Sequence, residues 1–164
     1  MVKIFTAPKN DKTLSIYITA LALGVQLTTQ PPVPNTASFF TCSVELDKNR
    51  TLEDPEAICR MLLTKNVKVK YMPDNGTADY FAAEELLEKL HAKDMDHVQI
   101  AKLVEQRMSN DSQFLVASKL SLVDICAWSA LYGHRDTLSG PVAQWFNRLA
   151  EEKFFKAGVK AAGF

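Results

Sequence analysis

The chain has 164 residues, of which 47% are hydrophobic and 23% charged, the balance of a folded globular protein rather than of a disordered segment. Its 19 basic and 19 acidic side chains cancel, which removes the broad electrostatic footprint of a nucleic-acid or anionic-membrane binder and leaves any RNA contact local or indirect. Three widely separated cysteines, Cys42, Cys59 and Cys126, argue against a disulfide framework and for a reducing, cytoplasmic setting.

The first ten residues, MVKIFTAPKN, lack the apolar run and cleavage site of a signal peptide. Residues 2–7 alternate as a short strand that Pro8 closes. Residues 13–23 read as a helix, with apolar positions on more than one face and Gly24 as its stop. Residues 25–29 are β-branched enough for a second strand, which Pro31, Pro32 and Pro34 end, and a crossover helix between two strands implies parallel pairing. Residues 39–46, a turn at Asp47, Lys48 and Asn49, and a return strand at 50–52 form a hairpin. Glu53 or Asp54 then precedes Pro55 at a first helical position, with Ala57, Ile58, Met61 and Leu62 on one face. This order is a small α/β unit with the thioredoxin arrangement.

Residues 66–77 form a linker, and everything beyond them is predicted to be helical. Residues 78–93 place Phe81, Leu86, Leu87 and Leu90 on a stripe, and 98–108 place Ile100, Ala101, Leu103, Val104 and Met108 on another. Ser121 and Asp124 stand three apart as a capping box for a helix that is apolar on every side and too short to span a membrane. Residues 141–152 carry Val142, Trp145, Phe146 and Leu149 at helical spacing. The predicted class is an α/β thioredoxin-like amino-terminal subdomain (1–65), a linker (66–77) and an all-α carboxy-terminal subdomain (78–164).

Residues 54–62, DPEAICRML, resemble the acidic-Ser-x-Ala-Ile-x-x-Tyr-Leu segment of the glutathione transferase superfamily, and 114–128, FLVASKLSLVDICAW, resemble its second-domain core motif. The run 121–132, SLVDICAWSALY, with Trp145-Phe146 and Phe154-Phe155 downstream, is similar to the transferase-like domains appended to eukaryotic glutamyl, glutamyl-prolyl and methionyl tRNA synthetases and to their scaffold proteins. The resemblance implies a transferase-like fold and a role in gathering synthetases into a multisynthetase complex, as the amino-terminal domain of a glutamyl-type enzyme. A transferase with retained activity and an elongation factor 1 subunit domain are the alternatives.

The departures count against catalysis. Pro55 stands where the family's Ser would hold the γ-glutamyl carboxylate, and it has neither hydroxyl nor amide hydrogen to offer. The family's cis-proline before the hairpin has no counterpart, Ser43 falling near that place. Thr6 and Ser15 are candidate thiol activators, but isolated hydroxyls near a first strand are commonplace. We therefore expect no catalytic residue and no cofactor. His91, His97 and His134 show no metal-ligand spacing, so no metal is expected either. Cys126 should be an inert core thiol, and Cys59, beside Arg60, the more exposed one. The Lys65, Lys68 and Lys70 run reads as a solvated edge.

What remains is surface. The resemblance implies pairing with transferase-like domains of other synthetases or scaffold proteins, or with a second copy, through one of two faces; tRNA is reached only indirectly, and no membrane is involved. One face is the helix around Ile58, Met61 and Leu62. The other is the turn after the capped helix and the helix that follows, with Arg135, Asp136, Gln144, Asn147 and Arg148 as contact candidates and Trp145 turned to the core. Gln144 replaces the basic residue that relatives carry before the Trp-Phe pair.

Overall fold

A computed structural model of the chain describes residues 2–6, 9–10, 13–31, 42–47, 50–65, 70–92, 94–108 and 112–164. It divides into two compact units, Met1–Val69 with Lys153–Phe164, and Lys70–Glu152. The last twelve residues, expected at the end of the helical part, thus belong with the first unit.

The first unit is built on a four-stranded sheet in the order β2-β1-β3-β4. Strand β1 (Val2–Thr6) is followed by helix α1 (Leu14–Ala22), and β2 (Leu27–Gln30) returns parallel to β1, with Val2 opposite Leu27. The predicted crossover is therefore present, displaced two residues at its second strand. Gly24 has φ 67, the left-handed backbone that ends a helix at least cost to glycine. Strand β3 (Cys42–Asp47) runs antiparallel to β1 and pairs with β4 (Arg50–Leu52) in the expected hairpin. Residues 39–41 and the turn residues Lys48 and Asn49 lie outside the described residues.

Helix α1 carries no charged residue and buries Leu14 through Ala20 without a break. Helix α2 (Pro55–Lys65) buries Ile58, Cys59 and Leu62, whereas Ala57 and Met61, expected on the same face, are half-buried. Helix α7 (Lys153–Ala161), within the stretch predicted to be helical, packs on α1. The contact is possible because residue 158 is glycine: a Cβ there would lie 2.6 Å from Ile18 Cγ1 and 3.3 Å from the Ile18 backbone.

The second unit is helical. Helix α3 (Ala78–Leu90) starts at Thr77, whose hydroxyl accepts from the Tyr80 amide at 3.2 Å. Its buried stripe is Ala83, Leu86, Leu87 and Leu90; Phe81, expected in it, is 62% exposed. Helix α4 (His97–Met108) buries Ile100, Val104 and Met108 and is capped reciprocally, the Gln99 amide donating to Asp96 Oδ1 and the Asp96 amide to Gln99 Oε1, both at 2.8 Å. Helix α5 (Leu122–Leu131) buries every residue except Ala130 among positions 122–131. A 3-10 turn (Tyr132–Thr137) leads into α6 (Gly140–Ala150), where Val142, Trp145, Phe146 and Leu149 are buried as their spacing predicts. Trp128 ties α5 to α6, donating from Nε1 to the Phe146 carbonyl at 2.9 Å while its ring stacks on Phe146 with centroids 4.6 Å apart. Among the described residues, no helix is long and apolar enough to cross a membrane.

Candidate functional site

The start of α2 is where the sequence resemblance implies a hydroxyl for a γ-glutamyl carboxylate, and its groups are committed to structure. Asp54 Oδ1 accepts from the Ala57 amide at 2.7 Å, so its carboxylate serves as the helix cap. Pro55 follows at the first helical position, where a missing amide costs nothing and a hydroxyl is absent. No proline lies between Pro34 and Pro55, and no peptide among the described residues is cis. Ser43 sits on β3 opposite Phe5.

Two hydroxyls near β1 are equally occupied. Thr6 is 2% exposed and accepts from Asn10 Nδ2 at 3.3 Å. Ser15 is 6% exposed and accepts from Cys59 Sγ at 3.8 Å. Cys59, expected to be the more exposed thiol, is fully buried, because α2 turns it inward between Ile58 and Leu62 while Arg60 pairs with Glu56 at 2.7 Å on the outside. Burial pushes the Cys59 thiol up to about 12, against weaker downward pulls from the neighbouring hydroxyls of Thr19 and Ser15. Cys42, also buried, is pushed up to about 11 by burial and then by Asp54 and Glu53. At neutral pH both are protonated and poorly nucleophilic.

The Ser121 and Asp124 capping box is present and extends beyond its motif. Asp124 Oδ2 accepts from the Ser121 amide at 2.9 Å and the Ser121 hydroxyl at 2.7 Å, while Oδ1 accepts from the Leu115 amide at 2.9 Å. One carboxylate thereby starts α5 and fixes the loop before it. Burial raises the pKa of Asp124; the Leu115 amide, the Ser121 hydroxyl and amide and the Trp145 indole oppose the rise. Trp145 Nε1 is buried outside strict hydrogen-bond geometry, so its pull on the carboxylate is that of a nearby dipole.

Of the expected pairing residues, Ile58 and Leu62 are 0% exposed and are core side chains of the first unit, which leaves Met61, half-buried, as the accessible part of that trio. On the other face, Arg135, Asp136, Gln144 and Asn147 are exposed. Arg135 folds back over its own turn, with its guanidinium 4.7 Å from the Tyr132 ring centroid and Nη1 donating to the Tyr132 carbonyl at 3.1 Å. Arg148 is half-buried: it donates to the Gln113 carbonyl and lies 5.0 Å from the Phe114 ring centroid. It braces the loop before α5. His97 and His134 stack with ring centroids 3.6 Å apart and planes 6° from parallel, a pairing across 37 positions that no local sequence signal announces. Among the described residues no group of three or more His, Cys, Asp or Glu is placed to hold a metal ion.

The sequence matches no protein-family model and no characterised protein sequence. Its structure is similar to glutathione transferases. One from Methylococcus capsulatus superposes with a TM-score of 0.80 at 15% identity, over 99% of each chain. Glutathione transferase E6 of Drosophila melanogaster gives 0.81 at 10% identity, over 99% of this chain and 92% of that one. A homologue from Lodderomyces elongisporus, solved with two glutathione molecules per subunit, gives 0.73 at 15% identity, over 98% of each chain. The fold is that of the glutathione transferases, a thioredoxin-like unit with a helical one.

Proposed function

We propose that this chain is a noncatalytic transferase-fold interaction domain, which binds similar domains and so gathers aminoacyl-tRNA synthetases into a complex as the amino-terminal domain of a glutamyl-type enzyme. The observation that supports loss of catalysis is the start of α2. There Pro55 supplies no hydroxyl or amide hydrogen, the Asp54 carboxylate is taken by the Ala57 amide, and the hydroxyls of Thr6 and Ser15 are buried with partners of their own. Among the described residues, the groups at these positions are engaged within the chain, which supports a scaffold without the donors that orient glutathione.

Surface is then the functional asset. The exposed polar strip of Arg135, Asp136, Gln144 and Asn147 carries both signs of charge on adjacent residues, the pattern that sets register between like-folded partners more than it adds raw affinity. The zero net charge of the chain fits protein partners and an indirect route to tRNA. Pairing with a second copy uses the same face or the Met61 side of α2.

A glutathione-binding transferase is the second reading, favoured by the fold neighbours solved with glutathione. Immobilised glutathione separates the two. The proposed function expects the chain in the flow-through; retention with release by free glutathione contradicts it. Replacing Arg135 and Asp136 together by Ala is expected to weaken capture of a synthetase partner about tenfold, the loss of roughly 1.4 kcal/mol, and undiminished capture would move the interface to the Met61 side.

A further inference from the structure

Strand β2 ends the sheet, and among the described residues it pairs with β1 alone. The Val2 amide donates to the Gln26 carbonyl at 3.0 Å, with Val2 opposite Leu27, and along a strand the backbone groups of successive residues turn to alternate sides. Gln26, Thr28 and Gln30 therefore face β1, while Leu27 and Thr29 each aim an amide and a carbonyl away from the sheet. Edge strands are commonly guarded by charged side chains, yet residues 13–44 contain no Asp, Glu, Lys or Arg. Beside the edge lies a cavity of about 460 Å³, to which Tyr17, Leu21, Val25, Leu27 and Thr29 contribute. Leu21 leaves 41% of its surface exposed there. The hydroxyls of Tyr17 and Thr29 are hydrogen-bonded at 2.9 Å, which puts the cavity on the α1 side of the strand.

We propose that this edge binds a second copy of the chain, the two β2 strands pairing antiparallel about a two-fold axis at Thr28. That register sets Leu27 of each copy opposite Thr29 of the other, so the outward amides and carbonyls meet as hydrogen-bonded pairs. It also ends the ladder without stranding a donor. One step further out Val25 faces Pro31; the Val25 amide already donates to the Ala20 carbonyl at 2.8 Å, and proline has no amide hydrogen. Leu27 of one copy, directly opposite Thr29 of the other, is carried over the cavity that Thr29 lines. A two-fold axis repeats every charge on both sides of a contact, which penalises a charged edge and spares this uncharged one. The edge is a third route of self-association, separate from the Met61 side of α2 and from the polar strip at Arg135, and it stands whether or not synthetases bind. So short a strand makes a contact at the small, reversible end of specific interfaces.

Sedimentation velocity of the whole chain, over about a hundredfold range of concentration, tests the pairing and is expected to show reversible self-association. Thr28→Lys sets two ammonium groups opposite each other on the axis and should weaken that association about tenfold or more, as should Thr28→Glu. An equimolar mixture of the two variants should recover the parent's association, because the mixed pair alone sets opposite charges across the axis. A chain that stays monomeric throughout overturns the proposal. So does self-association undiminished by Thr28→Lys, or a mixture that recovers nothing. Circular dichroism of each variant must match the parent, and Thr28→Cys gives an independent reading should a charged variant unfold. Facing residues of a pair without hydrogen bonds stand about 4.5 Å apart between Cα atoms, within reach of a disulfide, and Cys42, Cys59 and Cys126 are all buried. Oxidation by diamide should therefore convert the Thr28→Cys chain, and not the parent, to a covalent dimer; its absence overturns the proposed register.

Discussion

Two helix starts in this molecule use the same chemistry and come out differently. At α5, Asp124 is wholly buried, binds two amides and a hydroxyl, and couples the helix to the loop at Leu115. At α2, Asp54 is exposed and accepts one amide, and Pro55 fills the next position. The first start is a keystone of the helical unit. The second is an ordinary cap at the position where the sequence resemblance implies a ligand-binding hydroxyl. On the proposed function, the scaffold is kept and the chemistry given up.

Several substitutions would break or sharpen that contrast. The largest effect is expected from Asp124→Ala, which leaves the Leu115 and Ser121 amides without their acceptor at a cost of about 1–3 kcal/mol each. Urea denaturation should register a loss of about 3 kcal/mol or more, and a loss below about 1 kcal/mol would show that the carboxylate is dispensable. Next comes the thiol beneath α2. With Cys59 fully buried and its pKa pushed up to about 12, alkylation near pH 8 should be at least about a hundredfold slower in the native chain than in the unfolded one. The sign of the linkage follows from the upward shift. Cys42 and Cys59 contribute stability that is complete below their ordinary value of 9.0 and is lost as pH rises through about 11 to 12. Denaturation midpoints through the neutral range should be insensitive to these two thiols.

Smaller effects separate the two caps directly. Asp54→Ala should cost about 1 kcal/mol or less, as an exposed cap does, and so clearly less than Asp124→Ala; equal losses would erase the comparison. The smallest stability change belongs to Pro55→Ser, expected within about 0.5 kcal/mol of the parent. It restores one hydroxyl yet should not restore retention on glutathione resin, because no proline stands between Pro34 and Pro55 to shape the entry to the hairpin. Retention by that single variant would mean that the rest of the site is intact.

How far the sequence carried depended on the range of the signal. Local chemistry was legible: the parallel β1-α1-β2 crossover with Gly24 at its turn, the β3-β4 hairpin, and the box at Ser121 and Asp124 all follow from residues within a few positions of one another. Faces were less so. Cys59 was expected outside and Phe81 inside, and each lies the other way, because both helices are apolar over an arc wider than the stripe they bury. The D-x-x-Q cap at Asp96 is equally local, its two partners standing three positions apart. Contacts far apart in the chain had no local mark at all: α7 against α1 through Gly158, the stack of His97 on His134, and Arg148 on the loop at Gln113. The proposed loss at Pro55 rests on the family pattern alone, since a proline at a first helical position is otherwise unremarked.

Affinity purification of the tagged chain from a eukaryotic extract, with partners identified by mass spectrometry, tests the central claim most directly. The account predicts recovery of aminoacyl-tRNA synthetases or scaffold proteins that carry transferase-like domains, unaffected by free glutathione and reduced when Arg135 and Asp136 are replaced. Recovery of no such protein, from a chain that glutathione resin retains and free glutathione releases, would contradict it.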